Sequence, residues 1–444
     1  MQVFVLFIFF CAMFSDFLIE KLSLPSIVRF LPEVCSAIVV LYTLVAGTHD
    51  RFRYVAPKYW LIFCALALVI LCGIVNSDPG VGPVISGLRF YFRAAPLFLL
   101  AAVLPTSEKQ LATQLKVVLV FALLQFPLAV YQRWQVMSEG RFSGDSVYGS
   151  VMDSGILSML LICTALVLTG MLLKHRIGVI KFLVIFLILL FPTTINETKV
   201  TVVFVPLGLL VTLIVGAAPG KRLRYGFVAA GLVVVFGAIF VPVYNKIEES
   251  DPRKINIVDF FTNEKQLDRY LAAPEKGPKT GIGGKTLAHR GEAIVVPFQY
   301  LAKDPVLLAF GLGLGNASPS LVGKNFEGSY YQLFQNLLVI SFAYFLLEFG
   351  LLGVILIGLL FWMVLSDSLA VSRLDDGLTG ALAAGWTGIV AVFAVATVYH
   401  SYHFFTSVTF LYWYFSGVIC ARRMALRYAP ARNERPAARV LLNA

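Results

Sequence analysis

The chain has 444 residues, is 59% hydrophobic and only 14% charged, and carries a formal net charge of +11 at pH 7. Soluble domains run nearer 45–50% apolar with about 25% charged residues, so this composition excludes an ordinary soluble protein and a disordered one alike. The six cysteines, at 11, 35, 64, 72, 163 and 420, all fall in apolar runs without CxxC or Cys/His spacing. They read as small buried hydrophobes and point to neither a disulfide framework nor a metal site.

Apolar runs of about 18 or more residues recur along the chain, and about 20 residues cross a hydrocarbon core of roughly 30 Å. Spans are predicted at 2–19, 31–48, 58–76, 84–104, 112–132, 151–173, 178–194, 199–217, 226–244, 350–366, 379–399 and 404–421. The expected fold is therefore an all-α polytopic membrane protein with about twelve transmembrane helices. The first run has no basic stretch before it and no small-residue cleavage pattern, so it is expected to be retained. No internal repeat stands out.

Basic residues set the orientation. Arg51/Arg53/Lys58, Lys109/Lys116, Lys174/Arg176/Lys181 and Lys221/Arg222/Arg224 fall in alternate loops, which the positive-inside rule makes cytoplasmic. The amino terminus then lies inside and the polar interruption from Asn245 to Ser329 lies outside. Four regions follow: a nine-span membrane region (1–244), a large outer loop with outer-face helices (245–349), a three-span region (350–421) and a basic cytoplasmic tail (422–444). The tail holds Arg422, Arg423, Arg427, Arg432, Arg435 and Arg439. Keeping it inside requires Tyr330–Leu347 to lie along or dip into the outer face.

Within the loop, Val258, Phe261, Leu267 and Leu271 have helical spacing over 257–273, the stretch from Lys276 to Gly284 reads as flexible, and 292–302 suits a second helix. Gly311, Gly313 and Gly315 mark a turn. They lack the preceding strand that a nucleotide-binding glycine motif requires.

Charges at the edges of spans are costly and each needs a reason. Arg89 and Arg93 are four residues apart, on one helical face in the outer half of the fourth span. They either snorkel to the headgroups or form a paired site for phosphate or pyrophosphate, whose oxygens match guanidinium forks. Lys199 opens the eighth span beside Glu197, where a surface ion pair is the plain alternative. Arg133 and Arg141 flank a polar turn with Asp145 and Asp153 nearby, which reads as a solvated loop. His289 and Arg290 stand at a helix start, and His400 and His403 lie between the last two spans, three residues apart, a spacing open to metal binding but more simply read as interfacial hydrogen bonding. Outward-facing cations around one large loop suit a substrate with a pyrophosphate head and a lipid tail.

Several segments together resemble the O-antigen ligase/O-antigen polymerase superfamily of bacterial membrane glycosyltransferases. They are Gly87-Leu88-Arg89-Phe90-Tyr91-Phe92-Arg93; Arg141-Phe142-Ser143-Gly144 through Met152-Asp153-Ser154-Gly155; Asn196-Glu197-Thr198-Lys199; Arg290 followed by Pro305 and Gly311-Leu312-Gly313-Leu314-Gly315; and Glu348-Phe349-Gly350-Leu351-Leu352-Gly353. The resemblance covers most of the chain and rests on order and spacing. It departs from the family at two points: no histidine lies between Arg290 and His400, and Lys199 stands where an arginine is usual. The first departure puts Glu327 in the region of the family's histidine.

What the resemblance implies is a GT-C-like architecture in the bacterial inner (cytoplasmic) membrane, with both termini cytoplasmic and the large loop periplasmic. The implied activity joins polyprenyl-pyrophosphate-linked repeat units into O-antigen, capsule or exopolysaccharide. Arg89, Arg93, Lys199 and Arg290 would hold the pyrophosphate and stabilise charge on the leaving group. Glu327 would take the acceptor's proton, with Arg141, His289, His400 and His403 as secondary candidates. No cofactor or metal is expected. Expected partners are the lipid-linked glycan, the growing polysaccharide, membrane lipids and a chain-length regulator, with no nucleic acid. The alternatives are a ligase that transfers the glycan to lipid A core or another acceptor, a flippase for the same lipids, and a structural assembly subunit.

Overall fold

The computed structural model describes residues 2–47, 51–104, 106–140, 144–249, 256–263, 289–320 and 323–433. Every regular element among them is helical. In chain order the helices are α1 (Gln2–Leu22), α2 (Leu31–Gly47), α3 (Pro57–Ser77), α4 (Val81–Phe92), α5 (Ala95–Val103), α6 (Glu108–Ser138), α7 (Ser154–Leu173), α8 (Val179–Ile195), α9 (Thr201–Leu210), α10 (Arg222–Glu248), α11 (Ile257–Thr262), α12 (Arg290–Leu301), α13 (Pro305–Phe310), α14 (Tyr331–Phe334), α15 (Ser341–Leu374), α16 (Leu378–Ala396) and α17 (Thr406–Asn433).

Among the described residues, eight helices are long and apolar enough to cross a membrane: α1, α2 with the short helix before it, α3, α6, α7, α10, α15 and α16. α4 and α5 pass the same test only as a pair, bent by 53°. The bend falls at Arg93-Ala94, just before Pro96, whose ring cannot extend the preceding helix with a full hydrogen-bond ladder. α8 and α9 are shorter. α9 runs on into a π-helical turn, Val211–Val215, so the eighth predicted run is helical but not regular.

Burial divides the helices into a centre and a jacket. α7 and α16 pack on each other and are enclosed on most sides. Glycines allow that approach, because a Cβ on Gly170 would strike the Ala381 carbonyl and one on Gly385 the Leu166 carbonyl. The jacket turns its apolar residues outward. Leu68, Leu71 and Val75 of α3 are 62%, 56% and 82% exposed, and Leu223, Phe227 and Val234 of α10 are 77%, 73% and 68% exposed. So large an apolar surface on a soluble protein would aggregate; here it has the character of a lipid-facing surface.

The cysteines depart from expectation in part. Cys11, Cys35 and Cys420 are buried, but Cys64 and Cys72 face outward from α3 and Cys163 is partly buried. All six are free thiols.

Between Asn245 and Ser329 the described residues form short helices joined by the non-helical stretch that follows Phe310. α11 ends at Thr262, and the rest of the helix expected over 257–273 lies outside the described residues, as does the glycine-rich stretch that follows. α12 begins at Arg290, two residues ahead of its expected start, under a capping box in which the His289 backbone N–H donates to Glu292 at 3.1 Å. The 330–347 stretch forms α14, a break, and the first turns of α15. α15 is itself interrupted at Gly350 (φ 64°, ψ −169°) before it runs on to Leu374. A second apolar cluster, including Leu312, Leu314, Phe334, Ile340 and Phe349, seats this segment against Leu66 and Ile70 of α3.

Candidate functional site

The glycine turn is a backbone crossing. Gly311, Gly313 and Gly315 have φ of 76°, 83° and 81°, a region that side chains disfavour. Each is pressed against another backbone: Gly311 against Glu348 and Gly350, Gly313 against Gly73 of α3, and Gly315 against Pro83 and Gly87 of α4. Glu348, fully buried, holds the turn in place. One carboxyl oxygen accepts from the Gly315 N–H at 2.7 Å and the other from the Ala317 N–H at 2.9 Å. Asn316, also fully buried, donates to the Leu312 carbonyl at 2.8 Å and accepts from the Ser329 backbone at 3.1 Å. The Gly311, Leu312, Gly315, Asn316 and Ala317 N–H groups are thus taken by acceptors inside the protein. A lone glutamate in an apolar run was the signal for Glu348.

Arg89 and Arg93 converge on one carboxylate. Arg89 Nη2 lies 2.9 and 3.0 Å from the two Glu33 oxygens, and Arg93 Nη1 lies 3.0 Å from one of them. Two guanidinium groups sharing one carboxylate leave an excess positive charge at the end of α4. Arg89 also lies 4.9 Å over the Phe30 ring, and Arg93 donates to the Phe404 carbonyl.

That carbonyl belongs to the connection between α16 and α17, which gathers more of the candidate residues than any other segment. Arg290 Nε donates to the Tyr399 carbonyl at 2.8 Å, and its guanidinium sits 4.4 Å from the Tyr399 ring centre. His400 Nε2 is 3.8 Å from Asp153 Oδ2, too long for a hydrogen bond but close enough for the charges to interact. Asp153 is fixed as the N-cap of α7 through the Ile156 N–H at 2.8 Å. Burial lowers the His400 pKa; Asp153 opposes the shift and Arg290 adds to it.

His403 is tied to the start of α15. Ser341 Oγ donates to the His400 carbonyl at 3.1 Å and lies 2.8 Å from His403 Nδ1. Since the hydroxyl hydrogen is used on the carbonyl, this network assigns the proton to His403 Nδ1. His403 Nε2 is buried without a hydrogen-bond partner, and Phe345, Phe361 and Phe393 surround the ring. Burial pushes the His403 pKa down to about 3.

No family model matches this chain, and no curated protein matches it either.

The remaining candidates are placed separately. Glu197 does not pair with Lys199: it forms a 2.7 Å ion pair with Arg133, both side chains being less than 10% exposed. Arg133 is therefore no solvated loop residue. The reason is local, because Glu197 takes a left-handed conformation (φ 58°) that turns it back over Gly144. Lys199 instead lies 5.1 Å over the Phe260 ring of α11. Arg141 lies outside the described residues. Glu327 follows a short helical turn and, among the described residues, accepts a long 3.5 Å contact from Gln332; its charge bears on Tyr331, whose pKa rises from burial first and from Glu327 second. No contact among the described residues joins Glu327 to Arg93, Arg290 or His400. Among these residues, no group of three or more His, Cys, Asp and Glu has a metal-binding arrangement.

Proposed function

We propose that this chain is a membrane glycosyltransferase that joins polyprenyl-pyrophosphate-linked oligosaccharide repeat units into a longer polysaccharide on the outer face of the bacterial inner membrane. In this reading the eight long helices, the bent α4–α5 pair, the shorter α8 and α9 and the final α17 make twelve crossings, with 245–349 periplasmic. The observation that carries it is the convergence on 397–405. An arginine from the bent pair and an arginine from the outer loop are both held on backbone carbonyls of that connection, beside His400 and Asp153.

The chemistry follows from that placement. Arg290, Arg93 and Arg89 stabilise charge developing on the pyrophosphate leaving group, where fixed cations in a water-poor site act strongly. His400, kept neutral by burial, accepts the proton of the attacking hydroxyl, while Asp153 favours the imidazolium that forms. This makes His400 a better-placed base than Glu327. Lys199, further along the same outer surface, binds glycan or phosphate.

The test is elongation by the purified full chain in nanodiscs, supplied with a lipid-linked repeat unit. A product ladder is expected from the native protein, none from Arg290→Ala, and reduced yield from Arg290→Lys, which keeps charge but loses the planar fork. Translocation of the lipid without elongation, or a normal ladder from correctly inserted Arg290→Ala, overturns the proposal.

A further inference from the structure

A sizeable cavity lies away from this site. It has a volume of about 570 Å³ and lies between α6, α7, α8, α16 and α17, at the end where the chain concentrates lysines. Its inner wall is apolar, formed by residues such as Leu160, Val167, Trp386 and Phe415. Its rim is cationic: Lys109 and Lys116 from α6, Arg176 from the α7–α8 connection and Lys181 from α8 line it, against a single carboxylate, Glu108. Glu108 is occupied, accepting from the Leu378 N–H at 2.9 Å, and Arg176 donates to the Asp376 carbonyl at 2.7 Å.

The geometry is that of a slot. Along α6 it runs from Lys109 to Leu119 and along α7 from Leu160 to Met171, about 15 Å in each case at 1.5 Å rise per residue. Lys109 and Lys116 are seven residues apart and so share one face of α6. α6 and α8 meet at Phe126 and Phe191, whose ring centres are 5.5 Å apart. Toward their lysine-bearing ends, both helices line the cavity. An apolar slot of this volume between membrane helices, charged positive at one end only, complements one apolar chain with an anionic head. Basic pockets of this kind on the cytoplasmic side hold anionic lipid headgroups.

We infer that this cavity is a binding site for an anionic phospholipid of the cytoplasmic leaflet. One acyl chain lies along α7 and α16, and the phosphate rests among Lys109, Lys116 and Lys181. The inference rests on the cavity and on the orientation set by the basic loops, and does not depend on the reaction proposed above. The occupant stiffens the bundle by filling the space beside α7 and α16, the two most enclosed helices.

The experiment uses the full chain in detergent, titrated with phosphatidylglycerol or with phosphatidylcholine of the same acyl chains. Thermal unfolding and native mass spectrometry are the readouts. Phosphatidylglycerol is expected to raise the unfolding temperature and remain bound, while phosphatidylcholine does neither. Each lysine near a membrane surface contributes roughly a five-fold effect, so Lys109→Gln/Lys116→Gln/Lys181→Gln should weaken phosphatidylglycerol about a hundred-fold. These lysines are exposed, so the triple variant is expected to fold. A second variant, Cys163→Trp, fills the slot and should abolish the shift with the lysines intact. Equal effects of the two lipids, or native affinity in the triple variant, overturn the inference. Displacement of the bound lipid by a prenyl diphosphate at equal concentration overturns the choice of occupant.

Discussion

The Glu348 carboxyl group gives the sharpest test of how the glycine turn is held. Glu348→Ala removes both acceptors of the Gly315 and Ala317 N–H groups, at a place that water does not reach. Each buried donor left unsatisfied costs about 1–3 kcal/mol, so the substitution should destabilise the protein by about 2–6 kcal/mol. Glu348→Gln keeps the shape and one acceptor, but its amide N–H₂ opposes the second donor, and the expected loss is about 1–3 kcal/mol. The assay is unfolding of the purified protein by SDS in mixed micelles, followed by tryptophan fluorescence. The order native, Gln, Ala is the expected result. An alanine variant within about 0.5 kcal/mol of native, the range of an inconsequential surface substitution, would refute the reasoning that the carboxyl group anchors the turn.

Gly315→Ala should destabilise strongly in the same assay, since its left-handed conformation and the Pro83 carbonyl leave no room for a methyl group; native stability would contradict the crossing. The His403 pKa near 3 lies below the usual value for an unfolded chain, about 6.5, so the unfolded state binds more protons between those values. Stability should therefore fall as pH drops below 6.5, and His403→Phe should flatten part of that fall in a pH series of unfolding midpoints. An unchanged slope would exclude His403 as a contributor. For His400, a lowered pKa means that the basic form persists below pH 6.5. The acid limb of the elongation rate should lie on the acid side of 6.5 and move further down in Asp153→Gln, which removes the charge that raises the His400 pKa, while Asp153→Glu should shift it less. An acid limb unchanged in His400→Gln would remove His400 as base.

Most of the helices could be read from the sequence, because apolar runs long enough to cross a membrane leave little choice of structure. The bends were harder: Pro96 marks the 53° break at Arg93-Ala94 only in retrospect, and the interruption at Gly350 depends on the distant Ala309 and Gly311 backbone packed against it. The candidate site was legible in its ions and not in its partners. Arg89 and Arg93 stood out as expensive charges and Arg290 only through the family resemblance, whereas Glu33, Ser341 and the Tyr399 and Phe404 carbonyls are ordinary residues until folding brings them close. Glu197 shows the limit well. Adjacency suggested Lys199 as its partner, but a left-handed backbone sends it to Arg133, 64 residues away.

The crossing at Gly311–Gly315 also bears on how the chain must be assembled. Gly73 and Gly87 belong to the first quarter of the sequence, yet the backbone that fills the space against them emerges only after half the chain more has been made. Contacts between such distant parts form late and slowly. Until then α3 and α4 present a vacant glycine-lined seam at one end of the bundle, a surface on which another protein or a wrong segment could settle. The carboxylate that captures the turn, Glu348, sits on α15, one of the last helices to be synthesised, so the crossing cannot be complete before that helix emerges.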